Sequence, residues 1–141
     1  MTNPSDDEIA EILRNARTIA VVGLSPDPNR ASLGVSAYLQ RAGYRIVPVN
    51  PKHAGETILG ETVVSRLDQI DGQVDIVDLF RRAVDVPRPL REAIAVSAGT
   101  VWMQLGIRNE DAAEEARAAG LNVVQDRCIA VEHRRLISRA P

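Results

Sequence analysis

The chain has 141 residues, with 17 Lys and Arg against 19 Asp and Glu and a formal charge of −2. That length suits one domain burying roughly two thirds of its unfolded surface, and the balanced charge excludes a global basic field for nucleic acid or anionic lipid. Hydrophobic residues make up 45%, which is globular rather than disordered composition, and aromatics only 3%, so the core must be aliphatic.

The N-terminus lacks the basic and apolar regions of a signal peptide, so a cytoplasmic protein is expected. Ser5-Asp6-Asp7-Glu8 reads as a capping box. Ile9, Ile12, Leu13 and Ala16 follow at helical spacing. Thr18–Val22 is an unbroken β-prone run ending at Gly23. The whole apolar stretch, Thr18 to Leu24, falls far short of the ~20 residues a membrane span needs. Val35, Tyr38, Leu39 and Ala42 mark a second helix closed by Gly43, and Tyr44–Val49 is the next strand. After a longer connection come a third strand, Val74–Leu79, and a helix opened by Pro87 on Leu90, Ala93 and Ile94. Val101–Leu105 is the fourth strand. Asn109 caps the next helix, Gly120 ends it, and Leu121–Val124 is the fifth strand. A short helix over Ala130–Ile137 closes the chain.

Strands alternating with helices predict an α/β fold, and runs without polar alternation predict strands buried on both faces of a parallel sheet. The expectation is a single doubly wound, Rossmann-like domain, residues 1–141, with a five-stranded parallel sheet. Such sheets bind ligands in the crevice at the carboxyl ends of their strands.

After the first strand, Gly23 permits close backbone approach, Ser25 offers a hydroxyl and Arg30 a charged fork for phosphate. The same Gly, Pro, Asp and Asn residues also suit any tight loop. The segment is not G-x-G-x-x-G. The second strand ends at Asn50-Pro51-Lys52, without the acid that usually holds the ribose hydroxyls of NAD. Lys52 instead suits an additional phosphate. The third strand ends at Phe80-Arg81-Arg82, suited to stacking a purine and covering a pyrophosphate. Near the end of the fourth, Gln104 is polar, while Trp102 reads as core. Asp126-Arg127-Cys128 follows the fifth. Cys128 is either a reactive thiol beside Arg127 or an inert buried one. A lone Cys with two His gives too few nitrogen and sulfur ligands for a structural zinc site, so no metal is expected. Ser25 with His53 can be drawn as a nucleophile and base, but nothing in their spacing requires it.

These segments, in this order, resemble the small CoA-binding proteins of bacteria and archaea, the YccU-like group, and more distantly the nucleotide-binding domain of the succinyl-CoA synthetase alpha subunit. The resemblance runs from about Ala20 to Leu136. It rests on Val22-Gly23-Leu24-Ser25, Arg30, Gly43–Pro51, Val74–Arg82, Val101–Gly106 and Asp126-Arg127-Cys128. It implies that Gly23, Leu24 and Ser25 line the phosphates of coenzyme A with Arg30 alongside. Lys52 would meet phosphate or ribose, Phe80 and Arg81 would cover the adenine and pyrophosphate, and Gln104 would lie further along. Many relatives carry Lys where Thr100 precedes the fourth strand here. The phosphorylated histidine of the synthetase belongs to a second domain with no counterpart in this chain. The expected function is non-catalytic binding of coenzyme A or an acyl-CoA, as a carrier, sensor or regulatory module. The competing reading is an enzyme acting on a CoA thioester or another nucleotide-linked substrate, with His53, Asp78 and Cys128 as its polar candidates.

Overall fold

The computed structural model describes residues 2–137. In chain order the elements are α1 (Asp6–Asn15), β1 (Thr18–Val22), α2 (Ala31–Arg41), β2 (Arg45–Val49), β3 (Thr57–Ile58), β4 (Glu61–Thr62), β5 (Ile76–Leu79), α3 (Pro87–Ala95), β6 (Thr100–Met103), α4 (Glu110–Ala118), β7 (Asn122–Val124) and α5 (Ile129–Leu136). Three single 3-10 turns, Pro51–His53, Leu67–Gln69 and Ala83–Asp85, complete them.

Five strands form one parallel sheet in the order β2-β1-β5-β6-β7. The chain winds outward from β1 to β2, then returns to β1's other side at β5. The strand order therefore reverses between β1 and β5, where such sheets open a crevice. Pro48 lies inside β2, where it removes a ladder donor, and β2 is accordingly an edge strand.

Alternate residues feed two aliphatic layers. Ala20, Val22, Val77, Leu79, Val101 and Met103 pack with Leu90 and Ala93 of α3 and Ala112, Ala113 and Ala116 of α4. Ile19, Val21, Ile46, Ile76, Trp102 and Val124 pack with Ile9 and Leu13 of α1, Leu39 of α2 and Ile129 of α5. All five residues of β1 are buried, as expected for a central strand covered on both faces. Trp102 is fully buried, its indole N–H donating to the Arg127 carbonyl at 2.8 Å.

The Ser5–Glu8 capping box is present, and Asn109 caps α4 through the Ala112 N–H. The fourth strand begins at Thr100, one residue early, and the closing helix runs over Ile129–Leu136, shifted by one; four other strand ends also need correction. The fourth strand ends at Met103, leaving Gln104 and Leu105 outside it. The third begins at Ile76 rather than Val74, because the Asp75 carboxylate takes the Arg17 and Thr18 N–H groups where a strand carbonyl would otherwise serve. The second begins at Arg45 and the fifth at Asn122, one residue late in each case. The long connection after β2 holds the β3–β4 hairpin, whose far side runs along the open edge of β2 through Asn50 N–H to Val64 O and Val64 N–H to Pro48 O.

Candidate functional site

A cleft of about 1000 Å³ lies at the carboxyl ends of the strands. Every sheet strand contributes to its wall through the segment that follows it. Pro51, Lys52 and His53 follow β2; Gly23, Ser25 and Arg30 follow β1; Phe80, Arg81 and Arg82 follow β5; Gln104, Leu105 and Ile107 follow β6; and Cys128 follows β7.

The β1 loop is braced before any ligand arrives. Gly23 has φ +90°, and a Cβ there would collide with the Phe80 carbonyl oxygen and come within 3.1 Å of Arg81 Nη1. The Arg81 guanidinium therefore reaches across the strand reversal onto the β1 loop. Ser25 N–H donates to Ser32 Oγ (3.1 Å), the Ser25 hydroxyl accepts from Asp27 N–H (3.1 Å), and Asp27 in turn accepts from Asn29 N–H (2.9 Å). Asn50, nearly buried, donates to the Leu24 carbonyl and accepts from Lys52 N–H, both at 3.1 Å, which locks the β1 and β2 loops together. An amide does both jobs at once; a carboxylate could only accept.

Helix α2 begins at this loop. Arg30 occupies its N-cap position but makes no side-chain cap, and the first turn carries no acid. By contrast, α1 and α4 are capped by Ser5 and Asn109. The open first turn of α2, with its partial positive charge, faces the cleft through Ala31 and Ser32. Arg30, Lys52 and Arg81 have no ion-pair partner among the described residues, whereas Arg82 pairs with Asp85 at 2.9 Å. Three free cations and an uncapped helix start on one wall are chemically suited to a polyanion.

Nine of the ten residues named from the sequence line the cleft: Gly23, Ser25, Arg30, Asn50, Pro51, Lys52, Phe80, Arg81 and Gln104. Leu24 does not. It is fully buried among Ile19, Leu39 and Trp102, so only its main chain faces this region. The left-handed turn at Gly23 reverses strand alternation and sends Leu24 into the layer opposite Val22's. Gln104 is nearly buried, and its Oε1 accepts from Ile129 N–H at 2.9 Å, so it caps α5 as well as lining the wall. Sequence reasoning did not single out Leu105, which it placed inside the fourth strand, or Ile107, an apolar residue with no polar signal, and it missed Ser32 because its hydroxyl acts through Ser25.

Of the proposed catalytic groups, Ser25, His53 and Cys128 all line the cleft, but no hydrogen bond links them to one another. His53 Nδ1 lies 3.0 Å from Glu56 Oε2, and no Ser25–His53 hydrogen bond forms. Asp78 is not in the crevice. It points between the sheet and its helices on the same side as Ile76, fully buried and without a hydrogen-bond partner, and burial raises its carboxyl well above the ordinary value. Cys128 does reach the cleft wall, half-buried, at the N-cap of α5. His133 lies elsewhere, nearly buried against the rings of Tyr38 and Tyr44, with Nδ1 2.8 Å from the Tyr38 hydroxyl; burial lowers its pKa. Thr100 sits at the amino end of β6, across the sheet from the cleft, so the missing Lys takes nothing from this wall.

Residues 17–134 match the CoA binding domain family. The chain belongs to that family. It is 45% identical over 133 residues to the uncharacterized protein YneT of Bacillus subtilis, a match covering 94% of this chain and 97% of the relative. Among solved structures, a Thermus thermophilus protein superposes with a TM-score of 0.92 at 42% identity, covering 95% of this chain and all of that one. A hypothetical protein from Pyrococcus horikoshii superposes with a TM-score of 0.91 at 37% identity, covering 95% and 93% of the two chains. Family membership supports CoA binding in general. No helix among the described residues is long and apolar enough to cross a membrane.

Proposed function

We propose that the protein binds coenzyme A or an acyl-CoA in this cleft, as a non-catalytic carrier, sensor or regulatory module. The observation that carries the reading is the set of three cations without an ion-pair partner among the described residues, Arg30, Lys52 and Arg81, around the uncapped start of α2 at the strand reversal. The phosphates would meet the Gly23–Ser25 main chain, the Ser25 hydroxyl and Arg30. Phe80 would stack the adenine beside Arg81, and Lys52 would take the ribose phosphate. Asn50 and Pro51 would hold the floor, and Gln104 would lie toward the pantetheine. Asn50 also argues against NAD, because its amide is committed to Leu24 and Lys52 where an acid would be needed for the ribose hydroxyls. The absence of a Ser25–His53 hydrogen bond, with His53 Nδ1 facing Glu56 instead, favours binding over hydrolysis.

Calorimetric titration with CoA, with NAD in the same buffer as comparator, tests the reading. One saturable CoA site per chain with much weaker NAD binding is expected. Arg81→Ala should weaken CoA by about 10-fold or more, the loss of one charge-assisted contact. Unchanged affinity in both Arg30→Ala and Arg81→Ala would place the ligand elsewhere. The second reading, an enzyme acting on a CoA thioester, draws on Cys128 at the cleft wall. Thiol release from an acyl-CoA panel that disappears in Cys128→Ala would favour it.

A further inference from the structure

The cleft is chemically divided along its length. The side chains that follow β2, β1 and β5 include every cation of its wall: Lys52, Arg30, Arg81 and Arg82. Those that follow β6 and β7 are Gln104, Leu105, Ile107 and Cys128, all uncharged. At roughly 4.8 Å per strand, this uncharged arm begins one strand beyond β5 and continues across β6 and β7. The phosphates have no use for it; the uncharged pantetheine would enter it at Gln104, and Leu105 and Ile107 lie beside that entry.

Leu105 is the feature that needs an explanation. Its side chain is 71% exposed while lining the cleft. Val84, on the turn after Arg82, is also 71% exposed. The Asn109 amide donates to the Ala83 carbonyl at 3.0 Å and ties that turn to the loop carrying Leu105 and Ile107. Apolar side chains in the wall of a ligand cleft serve the apolar parts of its ligand. The geometry points to a ligand whose charged end lies among the cations and whose other end is a hydrocarbon chain.

We propose that the physiological ligand is an acyl-CoA rather than free CoA, with its acyl chain lying against Leu105 and Ile107 and extending toward Val84. This rests on the reading of the cleft as a CoA site. It adds the class of acyl group: an unbranched aliphatic chain of several carbons, covered on one side by the rim and open to water on the other. One-sided burial supplies about half the transfer energy of full burial, or about a twofold gain in affinity per methylene. Four methylenes, the step from acetyl to hexanoyl, then give roughly 15-fold.

The experiment is a calorimetric series with CoA and acetyl-, butyryl-, hexanoyl- and octanoyl-CoA, on the full chain and on Leu105→Ser. Because Leu105 is exposed, that variant should fold as the parent does, which its melting temperature checks. Affinity rising about 15-fold from acetyl to hexanoyl in the parent, and a flattened slope in Leu105→Ser when each acyl-CoA is referred to the same protein's affinity for CoA, are the expected results. A series that is flat in the parent overturns the acyl arm while leaving CoA binding intact. Failure of CoA itself to bind refutes the underlying reading instead. Sedimentation of both proteins provides a further discriminating arm. If Leu105→Ser converts a dimer to a monomer and the acyl series stays flat, a second copy of the chain covers this rim, and the proposal falls.

Discussion

Gly23 and Gly34 stand eleven residues apart and should answer the same substitution with opposite signs. At Gly23 the backbone has φ +90°, and an added Cβ would strike the Phe80 carbonyl oxygen, which is main chain and cannot swing aside. The left-handed conformation alone costs an L-residue about 1–2 kcal/mol, and forcing two backbones apart adds about 1–2 kcal/mol more. Gly23→Ala should therefore lose about 2–4 kcal/mol, or roughly 8–16 °C in melting temperature for a chain of this size. Gly34 lies inside α2, with nothing within 4 Å of an added Cβ. Gly34→Ala should gain about 0.5–1 kcal/mol through reduced backbone entropy of the unfolded chain. Urea unfolding of both variants, with CoA titration at a temperature where each is folded, is the assay. Gly23→Ala should also weaken CoA, because it displaces Phe80 and Arg81, the residues proposed to cover the ligand, while Gly34→Ala should bind as the parent does. A Gly23→Ala variant within about 0.5 kcal/mol of the parent, less than the left-handed cost alone, would refute the account of the turn.

Two buried titrating groups give pH predictions of opposite sign. Burial raises the Asp78 carboxyl, so the folded protein keeps this proton where the unfolded chain has lost it. Stability is full below the unfolded value of about 3.9 and declines as pH rises toward the folded value, by about 1.4 kcal/mol per unit. Asp78→Asn should grow more stable relative to the parent at that slope over the same window; a stability difference independent of pH would show the carboxyl ionised and paired. Burial lowers His133, so its contribution is full above about 6.5 and is lost as pH falls toward the folded value. His133→Gln should flatten the acid side of the stability profile between pH 7 and 5, and an unchanged profile would exclude His133 as its origin.

The sheet was legible because its strands are unbroken aliphatic runs, and a strand covered on both faces leaves little else in the sequence. The helices were legible from their ends: Ser5 with Glu8, Pro87 and Asn109 each do what their side chains or missing N–H dictate. The lining of the cleft was readable because the fold rule confines ligands to the residues just past each strand. What escaped depends on orientation. Leu24 is hidden by a backbone reversal at Gly23 that leaves no mark on its own residue type. The strands Thr57–Ile58 and Glu61–Thr62 are too short for any period, and their hairpin takes its place from main-chain bonds around Val63 and Val64. Asp78, among aliphatic neighbours, could be a ligand or a buried acid from sequence alone; only the register beside Val21 and Trp102 decides.

The position of β1 has a consequence for how the molecule opens. It is paired on one side with β2, about 27 residues away, and on the other with β5, about 57 away. No contiguous fragment ending before β5 can hold both walls of the strand reversal, so the cleft is created only when the long-range β1–β5 seam closes. A ligand bridging the β1 and β5 loops would act as a clasp on that seam. It would raise hydrogen-exchange protection most along β1 and β5, and least in the β3–β4 hairpin, which can fray at the sheet edge without parting them.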